Sequence, residues 1–541
     1  MRFTEKHALI AILLLAAFLR LPNLYDMPFW EFDEGYNLNY AWNLSEGRLL
    51  WFSIKYPYVP HPPLFDIILA ALIKTFGYVL YPARVFAVAL SMGTTVLLYQ
   101  VGSKLVSKKV GLLSATLYAI YPYAIYWGRM NYNNNLIAFM IMLSLHLYLL
   151  NGRWRTLSYA VMGLSVITEF NGVSLVITAF LLARILDRRN TEKKITLLLV
   201  PAIIFTAVML CIMPEYFIFD LSYQFNRFGF TPTLFTLAFL SLAIFHMAAD
   251  KLPSIYLAVK NFLRKEVSIM FTQYDSFVWA NGFMIIMAAA HFYTSRWLFH
   301  EFRDGYFLGS FEYYWYALAG LMLIKDPEKR NTALIFSIPI LAVTLKIARF
   351  DHMCIPLYPL FALGGGVLLP ELNAFLRRIA SHLIASKKTA AVLTILLLAY
   401  PFAYLLYSDV DAFVLGNRIK REDVAGMIAA AEYVNSRITP QDLVLTSSHL
   451  SRFVKSGNVS IFIQGVAING PIEYYTAFPK ERFVYNISVD NAKYVILPLN
   501  DGLAWLATVE NGTHLKTARE VESWGVEQQI GEYYIYRNPD K

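Results

Sequence analysis

The sequence predicts a mostly α-helical membrane protein. It crosses the bilayer about 13 times, carries interfacial helices in its first external loop, and ends in a small external α/β domain. Three observations predict this. The 541 residues are 57% hydrophobic and only 16% charged, with a mean hydropathy of +0.46, where a soluble chain carries roughly a quarter charged residues. Apolar runs of about 17 to 20 residues recur, each able to cross ~30 Å of hydrocarbon; a β-barrel would show short alternating segments instead. From Ser408 onward the long runs give way to short mixed segments. The expected division is residues 1–407 in the membrane and 408–541 outside it.

The first span is Ala8 to Leu21, and Arg2 and Lys6 before it make the N-terminus cytoplasmic. The start resembles a signal peptide, but no A-x-A site follows and further spans do, so it reads as a retained span. Pro22 to Tyr81 then lies outside. Within it, Pro62–Leu80 is apolar enough to cross, but Asp66 and Lys74 would each cost ~2.5–3.5 kcal/mol at a helix centre. Crossing there would also put Lys104, Lys108 and Lys109 outside, so this segment is expected to lie along the outer surface. Pro82–Leu105 goes in, Val110–Trp127 out, and Leu136–Leu150 in. Leu157–Thr168 and Val173–Leu186 form a tight pair, and Ile195–Met213 goes out. Spans follow at Pro232–Ala248, Phe277–Phe292, Phe307–Ile324, Ala333–Ile347, Ile355–Leu369 and Ala390–Leu406. This keeps the basic clusters inside, among them Arg188–Lys194 and Arg377–Lys388, and the odd count leaves the C-terminus external.

In the C-terminal part, Arg421–Arg437 reads as an amphipathic helix, and "DLVLTSS", "VSIFIQG", "KYVILPL" and "YYIYR" read as strands. Sequons at Asn43, Asn458, Asn486 and Asn511 all fall on the external side.

The formal charge is +9, from 47 Lys+Arg against 38 Asp+Glu. The basic residues sit in short clusters between apolar runs, which is a cytoplasmic-loop bias and not a nucleic-acid surface. Cys211 and Cys354 offer neither a zinc spacing nor a disulfide framework. No metal and no cofactor are expected.

The unusual polar residues collect on the external side: Asp33 and Glu34, His61, Arg129 and Asn134, Glu169, Glu215, and Arg349 with Asp351 and His352. Acids and bases gathered at one membrane face suggest a site there, whereas an ion pathway would place charges at mid-span. A lipid-linked phosphate lies at this level. A carboxylate can take the proton of an attacking hydroxyl, and arginine and histidine can hold the departing phosphate. Such a transfer needs one base and a cation clamp, not the paired carboxylates of a glycosidase.

"FDEGYNLNYAWNLSEG", "HPPLFDIILA", "GRMNYNNNL", "GLSVITEFNG" and "ARFDHMCIPLYPLFALGGG" follow in order along Met1 to Pro370. Together they resemble the landmarks of GT-C fold glycosyltransferases, in particular the protein O-mannosyltransferases and lipid A aminoarabinose transferases. The resemblance implies Asp33 as catalytic carboxylate with Glu34 beside it. It implies His61, Arg349, His352 and Arg129 at the donor phosphate, and Tyr36, Asn134 and Glu169 as acceptor or sugar contacts. Asn134 stands where many relatives carry aspartate, and Glu169 stands in place of the lysine of an "LTK" landmark; Glu169 either pairs with Arg129 or assists catalysis. The "WWDYG" motif of oligosaccharyltransferases is absent. The implied reaction moves a hexosyl or pentosyl unit from a polyprenyl-phosphate-linked donor to a glycan, lipid or protein hydroxyl. The alternatives are a flippase for lipid-linked glycans, which predicts mid-membrane charges or broken helix pairs, and a nucleotide-sugar-dependent transferase.

Overall fold

The computed structural model describes residues 4–28, 32–54, 62–77, 80–187, 191–227, 318–347, 351–383, 386–417, 419, 421–467, 483–498 and 512–541. The expected spans Pro232–Ala248 and Phe277–Phe292, and most of Phe307–Ile324, lie outside these residues. Among the described residues, four helices are long and apolar enough to cross a membrane: Tyr81–Leu105, Thr191–Ile212, His352–Ser381 and Ala391–Val414.

The chain opens with α1 (Glu5–Arg20). It continues through α2 (Phe32–Ser45) and α3 (Leu64–Phe76). At ~1.5 Å per residue, α3 is about 20 Å long, short of the ~30 Å a crossing needs. Gly77, at φ +77°, ends it in a region that L side chains avoid. Its Lys74 is exposed while Phe65, Asp66 and Leu69 are buried, so one side of the helix packs against the protein.

The next helices form the bundle: α4 (Leu80–Leu105), α5 (Lys108–Ala119), α6 (Pro122–Gly128), α7 (Asn133–Tyr148), α8 (Arg153–Leu164), α9 (Val173–Leu181), α10 (Thr191–Ile212) and α11 (Pro214–Arg227). The run expected as one span from Val110 to Trp127 is two helices. Pro122 has no N–H to give the preceding turn, so the chain breaks and restarts with proline at the first helical turn. Further on come α12 (Pro327–Ile347), a 3-10 turn at Asp351–Leu357, α13 (Tyr358–Leu383) and α14 (Lys387–Asp409). The central helices approach through small residues. A Cβ added at Gly366 of α13 would run into Ser114 of α5, and one at Gly111 of α5 into the Tyr99 carbonyl of α4. Where lipid competes equally for apolar side chains, such close backbone approach is what binds helices.

After α14 and a π turn at Val410–Val414, the C-terminal part forms α15 (Val424–Asn435), capped by Asp423 accepting from Gly426 N at 2.8 Å. Among the described residues a five-stranded sheet follows. Its strands are β1 (Leu443–Thr446), β2 (Asn458–Ile461), β3 (Ala492–Pro498), β4 (Val526–Ile530) and β5 (Tyr533–Arg537), in the order β2-β1-β3-β5-β4. β1 pairs in parallel with β2 and β3, while β5 runs antiparallel to β3 and β4. β1 is buried along its whole length, the expected fate of a continuous apolar run between parallel partners. "VSIFIQG" changes structure midway: it is a strand to Ile461 and the helix α16 (Phe462–Ala467) beyond. One hydrophobic core runs without a break from bundle residues such as Leu38 and Leu69 to Met427, Val444 and Ile496 of the C-terminal part.

Candidate active site

Asp33 and Glu34 occupy the first turn of α2, where the positive end of the helix dipole favours carboxylates. Neighbours on a helix point roughly 100° apart, and here that separates their environments completely. Glu34 turns inward and is fully buried. Arg84 of α4 donates to it through Nε (3.1 Å) and Nη2 (2.7 Å), and the Asn131 N–H donates to the same carboxylate at 2.8 Å. Three positions on, Asn37 donates to the Asn131 carbonyl at 3.2 Å. One face of α2 is thereby tied to α4 and to the loop between α6 and α7.

Asp33 remains 32% exposed, and its Oδ2 lies 3.5 Å from Nε2 of His352. The His352 ring is fixed from the other side. It stacks on Tyr132 at 4.6 Å between centroids and 22° between planes, with Trp127 edge-on at 5.9 Å. The α6–α7 loop that supplies Tyr132 is itself held by Asn135, whose amide donates to the Trp127 and Met130 carbonyls at 2.9 Å each. Three distant stretches of chain thus converge on one accessible carboxylate. An imidazole beside it can donate to an anion, and an acid beneath it is already neutralised.

Glu34, expected beside the catalytic carboxylate, sits in a different environment from Asp33. A carboxylate enclosed in a bidentate ion pair would have to give up that pair to take a proton, so Glu34 braces α2. Arg129, expected at the donor phosphate, is also held within the protein. It is fully buried, with Nη1 donating to Leu19 O (3.1 Å) and Nη2 to Pro22 O (2.6 Å) and Met27 O (3.0 Å). Its guanidinium lies 5.7 Å from the Phe413 ring centroid. Burial, with the nearby Arg84 and Arg20 cations, pulls its pKa down to about 9. The chain turn after α1 uses this arginine as an internal clamp, leaving no terminal nitrogen for a phosphate. Tyr36 is half-buried, and its ring meets those of Trp51 (5.1 Å) and Phe52 (5.8 Å), both edge-on.

Asn134 and Glu169 belong to a second buried polar group. The Asn134 side-chain Oδ1 accepts from the Asn171 amide at 2.6 Å, and the Asn134 main-chain N–H donates to the Asn133 side chain at 3.0 Å. Asn133 in turn donates to Glu169, which also accepts the Phe170 N–H at 2.9 Å. Both terminal nitrogens of Arg129 are committed to main-chain carbonyls, and Asn133 donates to Glu169. His61 and Arg349 lie outside the described residues. Among the described residues, no three His, Cys, Asp or Glu side chains gather as a metal site.

Sequence reasoning missed Arg84, Trp127 and Tyr132. Arg84 carried a signal: an arginine at the start of an apolar span is expensive unless paired. The aromatic pair carried none, because a chain with 36 Tyr and 39 Phe does not mark which rings meet a histidine.

The family model described as dolichyl-phosphate-mannose-protein mannosyltransferase matches residues 60–214. A search of curated protein sequences gives no match. Among solved structures, the chain is similar to ArnT from Cupriavidus metallidurans bound to undecaprenyl phosphate. The TM-score is 0.56 at 13% identity, over 98% of this chain and 97% of that one. It is also similar to the apo oligosaccharyltransferase of Archaeoglobus fulgidus, with a TM-score of 0.57 at 13% identity over 96% of this chain and 73% of that one.

Proposed function

The chain has the GT-C fold, and on that premise we propose that it moves one sugar from a polyprenyl-phosphate carrier to an acceptor hydroxyl. The reaction runs at the outer membrane face, with residues 1–407 as the membrane domain, 408–541 as an external α/β domain and a cytoplasmic N-terminus. Asp33 is the base. As the acceptor oxygen attacks the anomeric carbon, its proton passes to the Asp33 carboxylate. The bond from that carbon to the phosphate oxygen breaks, its electrons leave with the polyprenyl phosphate, and the configuration inverts. His352 steadies Asp33 before reaction and donates to the phosphate as its negative charge grows. His61 and Arg349 join it at the phosphate. Two findings support a carrier of this kind: the family description names a dolichyl-phosphate sugar, and a structure of the same fold holds undecaprenyl phosphate.

The observation that carries the reading is the pairing of Asp33 with His352, an accessible acid held 3.5 Å from an imidazole more than 300 residues away in sequence. Sugar transfer from defined polyprenyl-phosphate sugars in proteoliposomes tests it. Asp33→Asn keeps the shape and removes the base, so turnover should fall roughly 10²–10⁴-fold. Wild-type turnover in Asp33→Asn would remove Asp33 from the chemistry.

A further inference from the structure

α2 is held on two sides. The Glu34 face is tied to Arg84, and the neighbouring face, beginning at Gly35, meets the C-terminal sheet. A Cβ built at Gly35 would lie 2.7 Å from both the His449 nitrogen and the Ser448 carbonyl carbon, and would collide with the Ser448 hydroxyl. Two of those three atoms are main chain, so no rotamer change relieves the contact. The residue beside the two acids is glycine because another backbone passes directly over it.

The backbone in question is the loop leaving β1. The sheet order places β1 between two parallel strands that the chain reaches on opposite sides, β2 first and β3 later. In open α/β sheets the carboxyl end of such a strand is where a ligand usually enters. Here α2 fills it. Further ties fix the same docking. Ser53, in the loop after α2, lies 2.8 Å from Ser460 between hydroxyl oxygens, and its carbonyl accepts the Val484 N–H at 2.9 Å. Arg452 lies over the Trp42 ring of α2 at 4.2 Å.

We propose that the C-terminal sheet is a positioning device for Asp33, with Gly35 and Ser448 as its positioning residues. The β1 loop seated on Gly35 fixes the roll of α2 and so holds Asp33 against His352. The inference rests on Asp33 being the base proposed above. It gives the C-terminal part a task in the reaction other than recognising a glycan.

The full-length protein in proteoliposomes tests it, using the transfer assay and thermal unfolding together. Gly35→Ala should remain folded, with its donor KM little changed and its kcat about 100-fold lower, the loss that a ~1 Å misplacement brings. Ser448→Leu enters the same contact from the sheet side and reads the same quantity if Gly35→Ala does not accumulate. A Ser53→Cys/Ser460→Cys pair, made in a Cys211→Ser background, places two sulfurs where a ~2 Å bond can form. Once oxidised it should keep its turnover, because the contact does not open during the reaction. Wild-type kcat in folded Gly35→Ala or Ser448→Leu would overturn the proposal, as would turnover lost on oxidation and regained on reduction. Asp33→Asn in the same assay separates the two ideas. If it is inactive while Gly35→Ala is normal, this inference alone fails; if it is fully active, the base assignment fails and this inference with it.

Discussion

Removing Arg84 should expose how much of the site depends on the ion pair beneath it. Both side chains of the Glu34–Arg84 pair are 0% exposed, and Arg84 Nη1 also donates to the Leu24 carbonyl at 3.2 Å. Arg84→Leu leaves the Glu34 carboxylate with the Asn131 N–H as its remaining donor among the three described here. Hydrogen bonds to a charged group contribute about 1.5–3 kcal/mol each, and stranding one partner of a buried pair costs about 3–5 kcal/mol. Arg84→Leu and Glu34→Leu should each destabilise by about that amount. The double variant Glu34→Leu/Arg84→Leu should recover most of the loss, because no uncompensated charge remains. Urea or thermal unfolding of the purified protein in detergent reads the four stabilities, and the cycle gives the coupling directly. A coupling below about 0.5 kcal/mol would refute the argument. So would a Glu34→Gln variant as inactive as Asp33→Asn while fully stable, since that would make Glu34 a chemical participant.

Other predictions follow from the same contacts. Arg129→Ala removes donors to four main-chain carbonyls and should cost about 3 kcal/mol or more in unfolding measurements; a raised donor KM with unchanged stability would return Arg129 to the phosphate. Tyr132→Leu removes the ring stacked on His352 and should lower kcat more than it raises KM in the transfer assay, with an equal change in both counting against it. Asp423→Ala uncaps α15 and should destabilise the C-terminal part by about 1 kcal/mol, read by hydrogen exchange of its amides. Asp442 has a pH signature. Burial pushes its carboxyl up, but the Thr439 N–H (2.6 Å) and hydroxyl (3.0 Å) and the Lys493 ammonium (3.0 Å) outweigh that and hold it below its ordinary value. With the folded pKa below the unfolded one, near ~3.9, its stabilisation is complete above that pH. It is lost as pH falls from there through the folded value, and Asp442→Asn should flatten that acid limb in pH-dependent unfolding.

Much of the helical frame was legible because the bilayer imposes a length. The run expected from Pro82 to Leu105 is a helix from Leu80 to Leu105, and that from Ala390 to Leu406 is a helix from Lys387 to Asp409. The segment expected to lie along the outer surface is a short helix, α3, with Asp66 in its first turn and Lys74 in its last. What periodicity misread was local. Pro122 divides one expected span, and "FIQG" is helical although its β-branched and aromatic start reads as strand. β4 went unread because "VEQQI" is a polar, mostly exposed edge strand, and edges blunt themselves with charge. In the site, the acidic pair of α2 was visible, but its division of labour was not. That division depends on which of two adjacent side chains finds Arg84, a partner 50 residues away. The grip on Gly35 was hidden for the same reason, since its partner is Ser448 in the last quarter of the chain.

The central claim is that Asp33 and His352 act in one step, and a double-mutant cycle on that step tests it most directly. Single-turnover transfer from a defined polyprenyl-phosphate sugar would be measured for wild type, Asp33→Asn, His352→Ala and the double variant. If the two groups work as a unit, the double variant should be scarcely slower than Asp33→Asn alone, as losses within a catalytic unit do not add. Losses that multiply independently, or a normal rate in Asp33→Asn, would contradict the account.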